Sequence, residues 1–191
     1  MNKVISFFGL FDISVLPSQI QAANPFFVIL FIPLFGFVLY PFVDKHFFKL
    51  TGMRKITIGM LITAIAFAIC AYIEMLITAG QTPSIFWQLL AYIILTSAEI
   101  LVSVTALEMA YTQAPNSLKS FIMSFYLLSV ALGNFVTAMV NFGNEYTLTD
   151  GSTGLYLEGA DYYWFFTALA FVSTCISVSY THLTLPTKVT V

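Results

Sequence analysis

The sequence predicts an all-α integral membrane protein of about five transmembrane helices, on two observations. Of its 191 residues, 59% are hydrophobic and 8% charged, with a mean hydropathy of +0.91. Soluble domains carry about a quarter charged residues, so this composition points to a bilayer. The apolar residues also gather into runs of roughly 17–25, the length a helix needs to span. They are hydrophobic all round, where barrel strands would alternate with period two.

The first run is about 24–43, NPFFVILFIPLFGFVLYPFV, punctuated by Pro25, Pro33, Gly36 and Pro41. Interior prolines remove backbone hydrogen bonds, and broken helices of this kind either line cavities or reflect ordinary transmembrane proline use. The second run is about 56–78, and the third is about 85–112, long enough to require tilt or an extra turn. The fourth is about 118–141. The fifth begins at Tyr162 and runs out near Ser177, at the short edge of what spans.

Charge orients these spans. Lys45, Lys49, Arg54 and Lys55 lie between the first and second, and Lys119 between the third and fourth. The other two loops carry no Lys or Arg, and the longer one holds Glu145, Asp150, Glu158 and Asp161. The positive-inside rule then places loops 44–55 and 113–119 in the cytoplasm and loops 79–84 and 142–161 outside, in a multi-pass protein of the cell (inner) membrane. Trp87, Tyr162, Tyr163 and Trp164 fall at the outer interface, where aromatic belts form.

The stretch ILTSAEILVS, residues 94–103, puts a carboxylate in the middle of the third run. Insertion scales charge an acid at a helix centre roughly 2.5–3.5 kcal/mol, and such residues usually mark ion or substrate paths. Residues four apart share a helix face, so Glu99 and Ser103 stack, with Ser97 and Thr96 near the same level. An acid at this depth can pass between neutral and charged forms as partners arrive and leave, or it can be a structural acid bonded to a neighbouring helix. Glu74 and Glu108 lie near span ends and reach the interface. Tyr126 on the fourth span is either packing or a substrate contact.

Other chemistries find no footing. The sequence has no Gly-rich phosphate loop, no metal-ligand spacing, no nucleophile–His–acid set and no basic stripe for nucleic acid, so neither an enzyme, a metal nor a cofactor is indicated. Cys70 and Cys175 read as lone small hydrophobes in the core, and His46 as a solvated loop residue.

Three segments carry a resemblance: SQIQAANPFF opening the proline-broken helix, SAEILVSVTALEMAYTQAPNSLKS, and LLSVALGN. Over roughly residues 17 to 177 the chain resembles the C-terminal half of proton-coupled oligopeptide transporters of the major facilitator superfamily. The resemblance implies helices 8–12 of a twelve-helix fold. It implies that Glu99 is the helix-ten glutamate that faces a peptide's amino terminus and couples to protons. Ser103 would be its companion, Asn24 an amide near the same amino group, and Gln21 and Pro25 the entry to helix eight, so that the resemblance implies a substrate-binding set of Gln21, Asn24, Pro25, Glu99, Ser103 and Tyr126. Tyr126 departs from the tryptophan many members carry in the side-chain pocket.

The expected organisation is therefore a remnant of helix seven and a loop over 1–16, a partial transmembrane bundle over 17–177, and a non-native tail over 178–191. VSYTHLTLPT matches a translated sequencing-library adapter. The expected function is that of a fragment of a proton-driven symporter of di- and tripeptides. Its partners would be short peptides, protons, the lipid bilayer and an N-terminal six-helix half that carries the rest of the proton machinery. Two alternatives remain open: the same fold moving another small solute such as nitrate, and a non-transport membrane subunit with a structural intramembrane acid.

Overall fold

The structure, a computed structural model, describes residues 4–7, 11–14, 23–46, 50–147 and 153–184. It is all-helical apart from two short hairpins. Among the described residues five helices are long and apolar enough to cross a membrane: Asn24–His46, Gly52–Thr78, Phe86–Thr112, Lys119–Asn144 and Ala160–Tyr180.

The first span is continuous but not uniform. Helix α1 (Ala23–Leu34) passes through a π segment, Phe35–Leu39, into α2 (Tyr40–His46). Pro25 sits in the first turn, where the missing N–H costs nothing. Pro33 and Pro41 flank the π segment, and neither offers an N–H to the turn before it. The wider winding is closed by the Tyr40 N–H donating to the Phe35 carbonyl, five residues back.

Helix α3 (Gly52–Thr78) ends on Gly80, whose φ of 78° only glycine adopts freely. The Gly80 N–H donates to Ile77 O and the Gln81 N–H to Leu76 O, each at 3.0 Å, which closes the helix with the paired bonds of a Schellman cap. The Ser84 hydroxyl then accepts from the Phe86 N–H and opens α4 (Ile85–Glu99). A second π segment, Ile100–Val104, begins directly after Glu99 and leads into α5 (Thr105–Thr112). Helices α6 (Lys119–Asn144) and α7 (Ala160–Thr184) complete the set.

Helix α3 is the centre of the packing, with α7 along one side and α4 along another. Small residues make that approach possible: Gly59, Ala64, Ala66 and Ala71 on α3, and Ala91 and Ala98 on α4, are all buried. Without a hydrophobic drive between helices in lipid, close backbone packing of this kind is what holds spans together. At Gly59 a Cβ would stand 2.7 Å from Val102 Cγ2 and 2.9 Å from Leu101 Cβ, so no larger residue fits. Across the α3–α7 seam Phe67 stacks on Phe166, and the hydroxyls of Thr57 and Ser177 share a 2.8 Å hydrogen bond. The two π segments meet in one buried cluster, with Phe35 from the first and Ile100 and Leu101 from the second.

The two hairpins are antiparallel: β1 (Val4–Phe7) pairs with β2 (Phe11–Ser14), and β3 (Glu145–Thr147), directly after α6, pairs with β4 (Thr153–Leu155). Asn144 ties the second hairpin down. Its side chain accepts from the Leu157 N–H at 2.6 Å and donates to Leu157 O at 3.1 Å.

Three expectations change. Residues 4–7 and 11–14, assigned to a remnant of helix seven, pair as strands, because VISF and FDIS are rich in β-branched and aromatic residues. The fifth span does not run out at Ser177: α7 continues through 178–184, since the residues there include no helix breaker before Pro186, which disfavours helix at the residue ahead of it. Cys175 is exposed on α7 rather than a core residue, and Cys70 is half-buried; both are free thiols.

Candidate functional site

Glu99 stands at the midpoint of the span Phe86–Thr112. A helix of that length rises about 40 Å against a hydrocarbon core of about 30 Å, so both ends of the span overhang while Glu99 stays at depth. Glu99 is the last residue of α4, and its carboxylate projects from an exposed position beside α1. There the Asn24 amide, from the first turn of α1, donates through Nδ2 to Glu99 Oε2 at 3.3 Å. The other end of the same amide, Oδ1, accepts from the Thr96 hydroxyl at 2.5 Å. Thr96 is 0% exposed and also lies 2.8 Å from the Tyr92 carbonyl one turn back.

Thr96, Asn24 and Glu99 thus form one polar line across the α1–α4 contact. The sequence placed Thr96 near the level of Glu99 without assigning it a role. The signal was available in the spacing, because a residue three positions earlier lies on the same helical face.

On its other side Glu99 opens onto a groove of about 490 Å³ between α3, α4 and α7. Ser103 and Val102 from the second π segment line it with Glu99, facing Thr63 and Phe67 of α3 and Ser173 of α7. Ser103 therefore shares a wall with Glu99 although the winding between them is π rather than α. Tyr126 reaches the same region differently from a side-chain pairing: its hydroxyl donates to the Ser103 main-chain carbonyl at 3.3 Å. Single-turn π segments are frequent at functional sites, and here one begins directly after the acid and contains the serine.

Pro25 is exposed in the first turn of α1, next to Asn24 in sequence, and its ring fixes the backbone φ there. Gln21 lies outside the described residues. Among the described residues no group of three or more His, Cys, Asp or Glu converges as a metal site would require. What the arrangement offers chemically is a carboxylate at the middle residue of a span, held by an amide donor and bordering an open groove. Such a group accepts a cationic hydrogen-bond donor or a proton.

The profile of the POT family matches residues 6–154. The chain is 35% identical over 130 residues to Peptide transporter PTR2 of Saccharomyces cerevisiae, covering 61% of this chain and 22% of that protein. It is 34% identical over 151 residues to Peptide transporter PTR_C of Candidozyma auris, covering 70% of this chain and 26% of that one. Among solved structures it is similar to the POT family transporter PepTSo, with a TM-score of 0.76 and 34% identity over 95% of this chain and 35% of that chain. A second, an auto inhibited POT family peptide transporter, matches with a TM-score of 0.73 and 32% identity over 91% of this chain and 34% of that one. The chain spans between a fifth and about a third of the length of these relatives. With the family profile covering most of the sequence, and solved POT family structures matching nearly all of it, this multi-pass membrane protein belongs to the POT family.

Proposed function

We propose that this chain contributes the amine-binding side of a proton-driven symporter of di- and tripeptides. The observation that carries the reading is the pair Asn24–Glu99 in a POT family chain, an amide from the first turn of one span bonded to a carboxylate at the middle residue of another. A peptide's amino group is cationic, and an ionised Glu99 gains a charge-assisted hydrogen bond from it. When the peptide leaves, a proton takes its place on the same carboxylate. Substrate and proton thereby compete for one group, and their movements are linked.

Asn24 and Ser103 would share the amino group with Glu99, and Tyr126 would border the peptide side chain. In the whole transporter, this bundle and an N-terminal one rock about the midplane site to alternate access. Basic loops 44–55 and 113–119 face the cytoplasm of the cell (inner) membrane, and loops 79–84 and 142–161 face outside. A site for nitrate or another anion is disfavoured by the carboxylate itself.

The test uses the full-length transporter that carries this segment, reconstituted in proteoliposomes with an imposed proton gradient. Dialanine should be concentrated by wild type, and N-acetyl-dialanine should compete poorly because the charge that Glu99 binds is gone. Equal competition by the acetylated peptide, or uptake of nitrate in place of dialanine, would remove this reading.

A further inference from the structure

The Thr96 hydroxyl is wholly buried, so its proton can go only to a protein acceptor, and two lie within reach. One is Tyr92 O at 2.8 Å, on its own helix; the other is Asn24 Oδ1 at 2.5 Å, on α1. A hydroxyl has one proton to give and two lone pairs to receive with. It cannot donate to both neighbours at once.

That conflict has two self-consistent solutions. In the first, Thr96 donates to Asn24 Oδ1, so the amide's N–H₂ end faces Glu99 and donates to its carboxylate. This polarity satisfies an ionised Glu99, which only accepts. In the second, Thr96 donates to Tyr92 O and its lone pair accepts from Asn24. The amide must then be turned by half a revolution, presenting Oδ1 to Glu99, and that contact is a hydrogen bond only if Glu99 carries a proton to donate. The two ends of an amide are nearly the same size, so the turn needs no repacking.

We propose that Thr96 is a positioning residue that gives the Asn24 amide two opposite settings, one matched to ionised and one to protonated Glu99. One proton joins a Glu99 oxygen, the amide reverses, and the Thr96 proton swings from Asn24 Oδ1 to Tyr92 O; no other covalent bond forms or breaks. The amide thus presents a donor toward the site in one state and an acceptor in the other. A peptide's amino group meets a different partner depending on whether Glu99 is loaded. This deepens the proposed function, since it rests on Glu99 as the acid that gains and loses the proton.

The surroundings leave Glu99 as the group the triad answers to. Toward the groove, α3 and α7 present Thr63, Phe67 and Ser173, none of them charged. Helix α6 brings Tyr126, whose hydroxyl is committed to Ser103 O. On α4 itself Tyr92 lies two turns away, and Glu74, Tyr162 and Tyr163 belong to the opposite end of α3 and the start of α7.

The experiment is nuclear magnetic resonance on the full 191-residue chain in lipid nanodiscs, following nuclear Overhauser contacts of the Asn24 amide hydrogens through an acid-to-alkaline titration. At alkaline pH those hydrogens should contact the Glu99 methylenes; in acid they should contact the β-proton at position 96. Thr96→Ser keeps the hydroxyl and should keep the reversal. Thr96→Val, of nearly the same shape, should leave the hydrogens on Glu99 throughout, and Glu99→Gln should remove the pH dependence. Contacts that stay the same across the titration in wild type, or a reversal undiminished in Thr96→Val, would overturn the proposal. No transport is measured, so a reversing amide in a protein that moves no peptide would defeat the functional reading alone.

Discussion

Asn24 and Glu99 are 75 positions apart and meet through a 3.3 Å hydrogen bond between α1 and α4. The amide is backed by the Thr96 hydroxyl, and the carboxylate keeps acceptor capacity beyond the one bond. The first prediction follows from that arrangement. In the full-length transporter Glu99→Gln removes the charge and keeps the shape, so gradient-driven dipeptide uptake should be abolished while exchange is partly spared. Peptide binding should weaken on the order of tenfold or more, the cost of one charge-assisted hydrogen bond. Accumulation against a gradient by the variant would contradict it.

Removing the other partner tests the pair rather than the acid. Asn24→Leu leaves Glu99 without its amide donor, and dipeptide affinity should fall by about 1–3 kcal/mol. Isothermal titration on the purified transporter measures it, and the double variant with Glu99→Gln should lose less than the sum of the two single changes.

Gly59 tests the helix packing that holds the site. A Cβ there meets Val102 Cγ2 at 2.7 Å, Leu101 Cβ at 2.9 Å and the Ala98 carbonyl at 3.1 Å, with no flexible side-chain end among them. Gly59→Val should therefore push α3 from α4 and destabilise the bundle by about 1–3 kcal/mol, read as a lower Tm in detergent. Gly36→Ala meets nothing within 4 Å and is the matched control, expected to leave Tm unchanged.

Tyr126→Phe deletes the hydroxyl that donates to Ser103 O and nothing else. The net loss should be small, about 0.5–1.5 kcal/mol, as for a single neutral hydrogen bond. Thermal unfolding checks it. A change of side-chain preference among dipeptides, larger than the change in Tm, would mark Tyr126 as a pocket residue.

Orientation is checked by chemical labelling. In a background lacking Cys70 and Cys175, Gln81→Cys in the 79–84 loop should react with a membrane-impermeant maleimide added to intact cells. Lys45→Cys in the 44–55 loop should react only after permeabilisation. The reverse pattern would invert the topology read from the charges.

Much of this was legible in the residues because the bilayer imposes long apolar runs, and five such runs became the five spans. Glu99 was legible for the same reason, since a carboxylate at that depth stands out against its neighbours. The two π segments were not. Pro33 and Pro41 signalled a break in the first span, but nothing local marks Ile100–Val104, whose winding is settled by packing against Phe35 and the close approach at Gly59. Neither was the end of α7, because the polar residues 178–184 suit a helix as well as a coil. The part played by Thr96 escaped because a threonine in a helix usually bonds its own backbone, and only the fold brings Asn24 to its other side.

The π segment after Glu99 has a consequence for how the third span tolerates change in length. Each residue of an α-helix advances its side chain by about 100° around the axis, and a π segment stores one surplus residue of that advance. Deleting one residue from Ile100–Val104 would let the span rewind as unbroken α-helix at little cost in hydrogen bonds. Everything beyond it, Glu108 and Tyr111 included, would keep its facing relative to the rest of the bundle, while Ser103 and its neighbours would be reshuffled within a single turn. The span therefore absorbs an indel at the one place where its lining is decided, so lineages can revise the wall beside Glu99 without rebuilding the helix that carries it.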